Sequence, residues 1–221
     1  MTAMARKRVA VLISGRGSNM ASLIAAAETS DYPADIGLVL SNRSDAAGLA
    51  RAKAAGIATA VVSHRDFGSD REAFEQAVQE ALERHRVELV CLAGFMRVLT
   101  PWFIRRWEGA MLNIHPSLLP AFKGLDTHAR ALEAGVRIHG ASVHFVTAEL
   151  DSGPIIMQAA VPVLDRDTPD TLAARVLTAE HRIYPLALRL VCEQRVRMAN
   201  GRCAVDAAAS DGGMLVAPDI G

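Results

Sequence analysis

Neither sign of charge is in excess in this chain: lysine and arginine number 24, as do aspartate and glutamate. A general nucleic-acid binder usually carries a basic surplus, so the balance argues against that class and leaves local basic residues to hold a small anion. No apolar run approaches the ~20 residues that cross a bilayer. The basic start, Met1–Arg8, leads into an apolar segment, Val9–Ile13, too short for a signal-peptide core. Cysteine is scarce, and Cys91, Cys192 and Cys203 are far apart with no CxxC pair, which excludes a disulfide framework and a zinc site of that type. No HExxH or comparable spacing links the histidines, so no metal is expected. A reducing cytoplasm is the simplest setting for such a chain. What is abundant is apolar: 51% of the 221 residues are hydrophobic. That excludes disorder and is enough for a sizeable core.

The first half alternates short apolar runs with longer mixed segments. Arg8–Ser14, Ile36–Ser41, Ala58–Val62 and Leu89–Ala93 read as strands. Asn19–Glu28, Ala46–Ala55 and Asp70–His85 read as helices, with Asp70 as an N-cap, and a further helix begins near Pro101. Near-continuous apolar strands between helices predict an α/β fold with a mostly parallel sheet covered on both faces. After a strand at Met111–His115 comes a long irregular stretch rich in Pro, Gly and His. Ala141–Thr147 and Ile155–Val163 then read as antiparallel strands added to the sheet, and Thr168 as the cap of a long helix through about Gln194. From Ala199 the composition turns to Ala, Gly and Asp without a clear period. The expected organisation is one domain over 1–198 and a weakly ordered tail over 199–221.

The most informative stretch is Asn113-Ile114-His115-Pro116-Ser117-Leu118-Leu119-Pro120. Side chains alternate along a strand, so Asn113 and His115 project to one side, and Pro116 stops the strand from continuing. An amide can donate to a developing oxyanion and an imidazole can move a proton. Asp151, in the turn-forming Glu149–Pro154, is the natural carboxylate to complete the set, because a carboxylate beside an imidazole favours its charged form. By itself an Asp-Ser-Gly-Pro segment reads as an ordinary turn, and only beside Asn113 and His115 does the functional reading prevail. Ser14-Gly15-Arg16-Gly17-Ser18-Asn19 follows the first strand and opens the first helix. It reads as a phosphate cradle at Gly17, Ser18 and Asn19, or else as a plain tight turn. It is not a Walker A loop and lacks the third glycine of the dinucleotide fingerprint. Leu92–Leu99 offers glycine, apolar side chains and backbone for a flat heterocycle, or simply a strand-end loop. His144, alternating within a β-like run, reads as a hydrogen-bonded structural histidine.

Taken together, Ser14–Asn19, Ser41-Asn42-Arg43, Leu92–Leu99, Leu112–Pro120, Ser142–Phe145, Glu149–Pro154 and Glu180-His181 make the chain resemble the phosphoribosylglycinamide formyltransferase family, in the family's order over roughly residues 8 to 190. The resemblance implies a Rossmann-like formyltransferase fold. It also implies transfer of a formyl group from 10-formyltetrahydrofolate, as co-substrate, to the amine of glycinamide ribonucleotide in purine synthesis. It assigns Asn113, His115 and Asp151 as the catalytic set. Gly17, Ser18, Asn19 and Glu180 would hold the ribonucleotide. Arg71, Met96, Arg97, Val98, Leu99, Asn113, Thr147, Ala148, Glu149, Leu150 and Asp151 would line the folate site. It further implies a cis bond at Leu119-Pro120. Arg16 departs from the small or amide residue that some members carry and would add charge near the phosphate. The implied partners are small molecules alone, with no nucleic acid and no membrane, and the implied state is a monomer or homodimer.

Neighbouring activities fit less well. A methionyl-tRNA formyltransferase would need a further basic C-terminal domain. A formyltetrahydrofolate hydrolase would carry an N-terminal regulatory domain, whereas the first strand here starts near Arg8. A non-catalytic folate or nucleotide binder would not need Asn113, His115 and Asp151 together.

Overall fold

Five apolar segments form parallel strands: β1 (Lys7–Ile13), β2 (Ala34–Ser41), β3 (Thr59–Val61), β4 (Leu89–Leu92) and β5 (Met111–His115). They come from a computed structural model that describes residues 6–199, 201–206 and 217. Val9 to Ile13 are wholly buried, as a central strand covered on both faces requires. Two antiparallel strands, β6 (Ile138–Phe145) and β7 (Ile155–Pro162), complete a seven-stranded sheet of order β3-β2-β1-β4-β5-β6-β7. β6 begins three residues and ends two residues before its predicted limits, and β7 begins as predicted and ends one residue early. The mixed sheet, parallel first and antiparallel later, is the architecture the apolar pattern predicts.

By Cα packing the chain divides into two units. The first runs through Asn113 and takes in Phe145–Ala148. Its helices are α1 (Ser18–Ala27), α2 (Ala47–Ala54), α3 (Arg71–Arg84) and α4 (Pro101–Arg106), with a 3₁₀ turn at His64–Phe67. Asp70 caps α3 as expected, accepting from Ala73 N at 2.9 Å. Phe74, Val78, Ala81 and Leu82 recur at helical spacing and bury against Leu12, Leu38, Leu40, Phe103 and Met111. Thr100 caps α4, and Pro101 starts it with the fixed φ that a first turn needs.

The second unit comprises Ile114–His144 and the chain from Glu149 onward. It holds α5 (Thr127–Glu133), inside the stretch read as irregular. Its cap residue, Asp126, is left-handed and makes no side-chain cap bond, so the aspartate that would mark a helix start in sequence does not act as one here. Thr168 opens α6 (Pro169–Cys192) through a reciprocal box: its hydroxyl accepts from Thr171 N at 3.3 Å and its own N–H donates to Thr171 Oγ1 at 2.9 Å. After α6, β8 (Val196–Ala199) and β9 (Arg202–Val205) form an antiparallel hairpin. Of the predicted tail over 199–221, residues 200, 207–216 and 218–221 lie outside the described residues.

One ion pair in this unit makes a testable stability claim. Asp167, with 3% of its side chain exposed, accepts two bonds from Arg175 (2.6 and 2.9 Å), one from Leu164 N and one from Thr171 Oγ1. The Arg175 guanidinium first, then those N–H and O–H donors, hold its carboxyl far below the ordinary 3.8. A depressed carboxylate stabilises the fold above its ordinary range, and that stability is lost as the pH falls toward its folded value. Asp167→Asn is therefore expected to lower Tm by ~4–8 °C at pH 7, from lost charged hydrogen bonds. The gap to the parent narrows as the pH drops below 3.8. Thermal unfolding over a pH series checks this; a gap that stays constant into acid refutes it.

Candidate active site

Strand β5 carries two of the candidate residues, Asn113 and His115. Met111 and Leu112 are fully buried and pair with β4 at Val90 and Cys91, and Asn113 pairs with Leu92. Asn113 and His115 follow two positions apart, so the pleat directs both to one side. Past His115 the chain leaves the sheet at Pro116, and the Leu119–Pro120 bond is cis, as the resemblance implies. Ser142 Oγ on β6, wholly buried, holds the turn that follows. It donates to Ser117 O (2.7 Å) and accepts from Leu119 N (3.0 Å) and Gln158 Nε2 (2.8 Å). Gln158 Nε2 also donates to Leu119 O at 3.0 Å. This support escaped sequence reasoning; the sole hint was a serine and a glutamine among the apolar residues of two strands.

In the second unit, the structure brings His115 and Asp151 together. His115 Nδ1 lies 3.4 Å from Asp151 Oδ2, with 7% and 8% of the two side chains exposed. His115 Nε2 lies 3.0 Å from the Phe122 carbonyl. Both ring nitrogens thus face oxygen atoms, one of a carboxylate and one of a backbone carbonyl. Asp151 takes a left-handed φ of 48°, and its Oδ2 accepts from Gly124 N at 2.9 Å. Its Oδ1 lies 3.9 Å from His144 Nε2. His144 thus faces the carboxylate, a role its place in a β-like run did not reveal. Lys123 Nζ reaches the same turn, donating to Ser152 Oγ and, at 3.4 Å, to Glu149. A pocket of about 170 Å³ opens beside this turn, lined by Leu119, Pro120, Lys123, Asp151, Gly153 and Ile155 among others.

Two further imidazoles stand near His115 without adding charge. His139 is 1% exposed, packed edge-on against Phe122 and His128 with ring centroids 5.7 and 5.4 Å away. Burial, and then His128, push it down to about 4, and burial lowers His128 too. Burial thus works against a charge on either ring, and the carboxylate group facing His115 is that of Asp151, at 3.4 Å.

The remaining residues singled out from the sequence fall as follows. In the first unit, Gly17 is left-handed (φ 69°) and Ser18 and Asn19 open α1, which has neither a side-chain cap nor an acidic residue in its first turn. A Cβ on Gly17 would meet Gly48 Cα at 3.0 Å, so glycine here serves both the turn and the close approach of α2. Such an uncapped helix start suits an anion. Arg71 opens α3, and Thr147 and Ala148 end the Phe145–Ala148 segment. Met96 and Val98 are exposed (68% and 62%), while the Arg97 guanidinium lies 5.9 Å from the Phe74 ring. In the second unit, Glu149 and Leu150 precede Asp151 in an exposed turn, and Glu180 is buried on α6. Among the described residues no three His, Cys, Asp or Glu side chains are grouped to hold a metal, and no helix is long and apolar enough to cross a membrane.

Comparison with known proteins places this geometry. A family model described as formyl transferase matches residues 7–188. Phosphoribosylglycinamide formyltransferase of Escherichia coli strain K12 is 48% identical over 86% of this chain and 89% of its own length. The crystal structure of glycinamide ribonucleotide transformylase 1 from Symbiobacterium toebii superposes with a TM-score of 0.88 at 45% identity, over 90% of this chain and 94% of that one. The trifunctional purine biosynthetic protein adenosine-3 of Gallus gallus is 52% identical over 86% of this chain, which spans only 19% of that relative's length. On this evidence the chain belongs to the formyl transferase family, within its phosphoribosylglycinamide formyltransferase branch.

Proposed function

We propose that this chain is a phosphoribosylglycinamide formyltransferase that moves the formyl group of 10-formyltetrahydrofolate to the amine of N1-(5-phosphoribosyl)glycinamide. The products are the N2-formyl compound and tetrahydrofolate, in purine synthesis in the cytoplasm. The observation that carries the reading is His115, set between Asp151 and a carbonyl at the end of the strand that also bears Asn113.

The neutral amine attacks the formyl carbon, and the carbonyl electrons move onto oxygen. The Asn113 amide and His115 Nε2–H donate to that oxyanion. The formyl oxygen then takes the Phe122 carbonyl's place as acceptor for Nε2. Asp151 holds the ring through Nδ1 and orients a water that carries a proton from the attacking amine to the folate nitrogen. The bond from carbon to that nitrogen then breaks as the carbonyl re-forms. Every atom and charge is accounted for with groups of this chain and one water, without a covalent enzyme intermediate. Gly17, Ser18 and Asn19 hold the substrate phosphate at the start of α1, Arg16 adds positive charge beside it, and Glu180 contacts the ribonucleotide. Arg71, Met96–Leu99 and the 147–151 turn receive the folate, Met96–Leu99 largely through backbone groups. The protein acts on small molecules as a monomer or homodimer.

Three acceptors test this directly with 10-formyltetrahydrofolate as donor: glycinamide ribonucleotide, charged initiator tRNA and water. Rapid formylation of the ribonucleotide alone is expected. Formate release at the same rate with and without the ribonucleotide would replace this reading with a hydrolase.

A further inference from the structure

The slot assigned to the folate is an exposed loop, and a loop binds weakly unless its shape is fixed beforehand. Both of its ends are tied down by buried side chains of the first unit. At the start, Ser14 N donates to Gly94 O (3.1 Å), and Ser14 Oγ accepts from Met96 N (2.8 Å) while donating to Asn42 Oδ1 (2.6 Å). Asn42 is in turn held by His64, whose Nδ1 lies 3.1 Å from Asn42 Nδ2 and 3.0 Å from Asn42 O. At the far end stands Glu75, on the inner face of α3 and 1% exposed. One carboxylate oxygen accepts from Thr100 N at 2.7 Å and the other from the Thr100 hydroxyl.

A glutamate in that position is costly for the fold. Phe74 and Val78, its neighbours on the helix, belong to the apolar core, and burial raises its carboxyl above the ordinary range. An apolar side chain would pack there at less cost. What the glutamate adds is a two-point hold on the single residue that ends the slot and caps α4. Between the two ties lie Met96 to Leu99, with Met96 and Val98 turned outward and Arg97 resting over the Phe74 ring, next in sequence to Glu75.

We propose that Glu75 is a positioning residue for the formyl donor: acting through Thr100, it fixes the Met96–Leu99 backbone in the shape that receives the folate. The proposal rests on the formyl-folate reading of that slot. Glu75 touches no reacting atom, so its loss must appear in donor binding and leave the chemical step intact.

Glu75→Gln keeps the volume and one acceptor and loses the second. The expected result is a KM for 10-formyltetrahydrofolate raised ~10-fold, with kcat and the KM for glycinamide ribonucleotide within ~3-fold of the parent, as the loss of a charged hydrogen bond predicts. Thr100→Val, which removes the hydroxyl from the other side, should reproduce the shift, and Thr100→Ser should restore the parent value. Calorimetric titration with tetrahydrofolate should give the same ordering without turnover. An unchanged donor KM in Glu75→Gln, or equal losses in kcat and both KM values, overturns the proposal. If Glu75→Gln is insoluble, the Thr100 pair decides the matter by the same criteria. A parent protein that transfers no formyl group would instead overturn the reading of the slot.

Discussion

His115→Ala is expected to reduce kcat for formyl transfer by at least ~10³, because it removes an oxyanion donor (~10²–10³) and the imidazole partner of the proton-handling carboxylate (~10²–10⁴). Binding of glycinamide ribonucleotide should be nearly unchanged, since its phosphate is assigned to the start of α1. Folding should also survive. The truncation leaves Asp151 with the Gly124 N–H at 2.9 Å and His144 at 3.9 Å, so the buried carboxylate keeps a donor. The lost contacts of the ring are one carbonyl and one carboxylate, both at a loop that solvent can reach once the ring is gone. Single-turnover transfer of labelled formyl, beside a calorimetric Kd for the ribonucleotide, separates the effects. A kcat within tenfold of the parent would remove His115 from the mechanism.

How much of this was legible beforehand follows from the range of the interactions involved. The strand carrying Asn113 and His115 has the limits its apolar run predicts, because Met111 and Leu112 can be buried only in the sheet and Pro116 must end it. The caps at Asp70 and Thr168 were equally visible, each being a local side-chain bond within three residues. Helix α5 was not, since seven residues whose Asp126 makes no cap bond are too short to be stable without tertiary packing. The hairpin Val196–Val205 was hidden for a similar reason, its alternation being too short to stand out from the Ala- and Gly-rich composition around it. At the site, Asp151 was named from the residues themselves. Its second imidazole, His144, its Gly124 N–H and the Ser142 hub were not, because each contact spans 7 to 27 residues of loop or crosses between strands. Long-range partners of this kind leave no period and no spacing in a sequence.

Asp151→Asn offers the cleaner test of charge. Aspartate and asparagine both tolerate the left-handed backbone at this position, where φ is 48° and alanine would add strain. The amide oxygen can still accept from Gly124 N, so the 124–151 contact survives. What disappears is the negative charge 3.4 Å from His115 Nδ1 and the second acceptor that would orient a water. The loss should therefore fall on kcat, by ~10²–10⁴, with both KM values and Tm close to the parent. Asp151→Ala should lose as much activity and also stability, because the Gly124 N–H is left without its acceptor at a cost of ~1–3 kcal/mol. That difference matters for interpretation. If the Asn variant keeps its Tm and loses its rate, the carboxylate acts through charge on His115 and the transferred proton. If the Asn variant keeps its rate within tenfold, Asp151 only braces the turn, and the proton must leave the amine by a route that does not involve it.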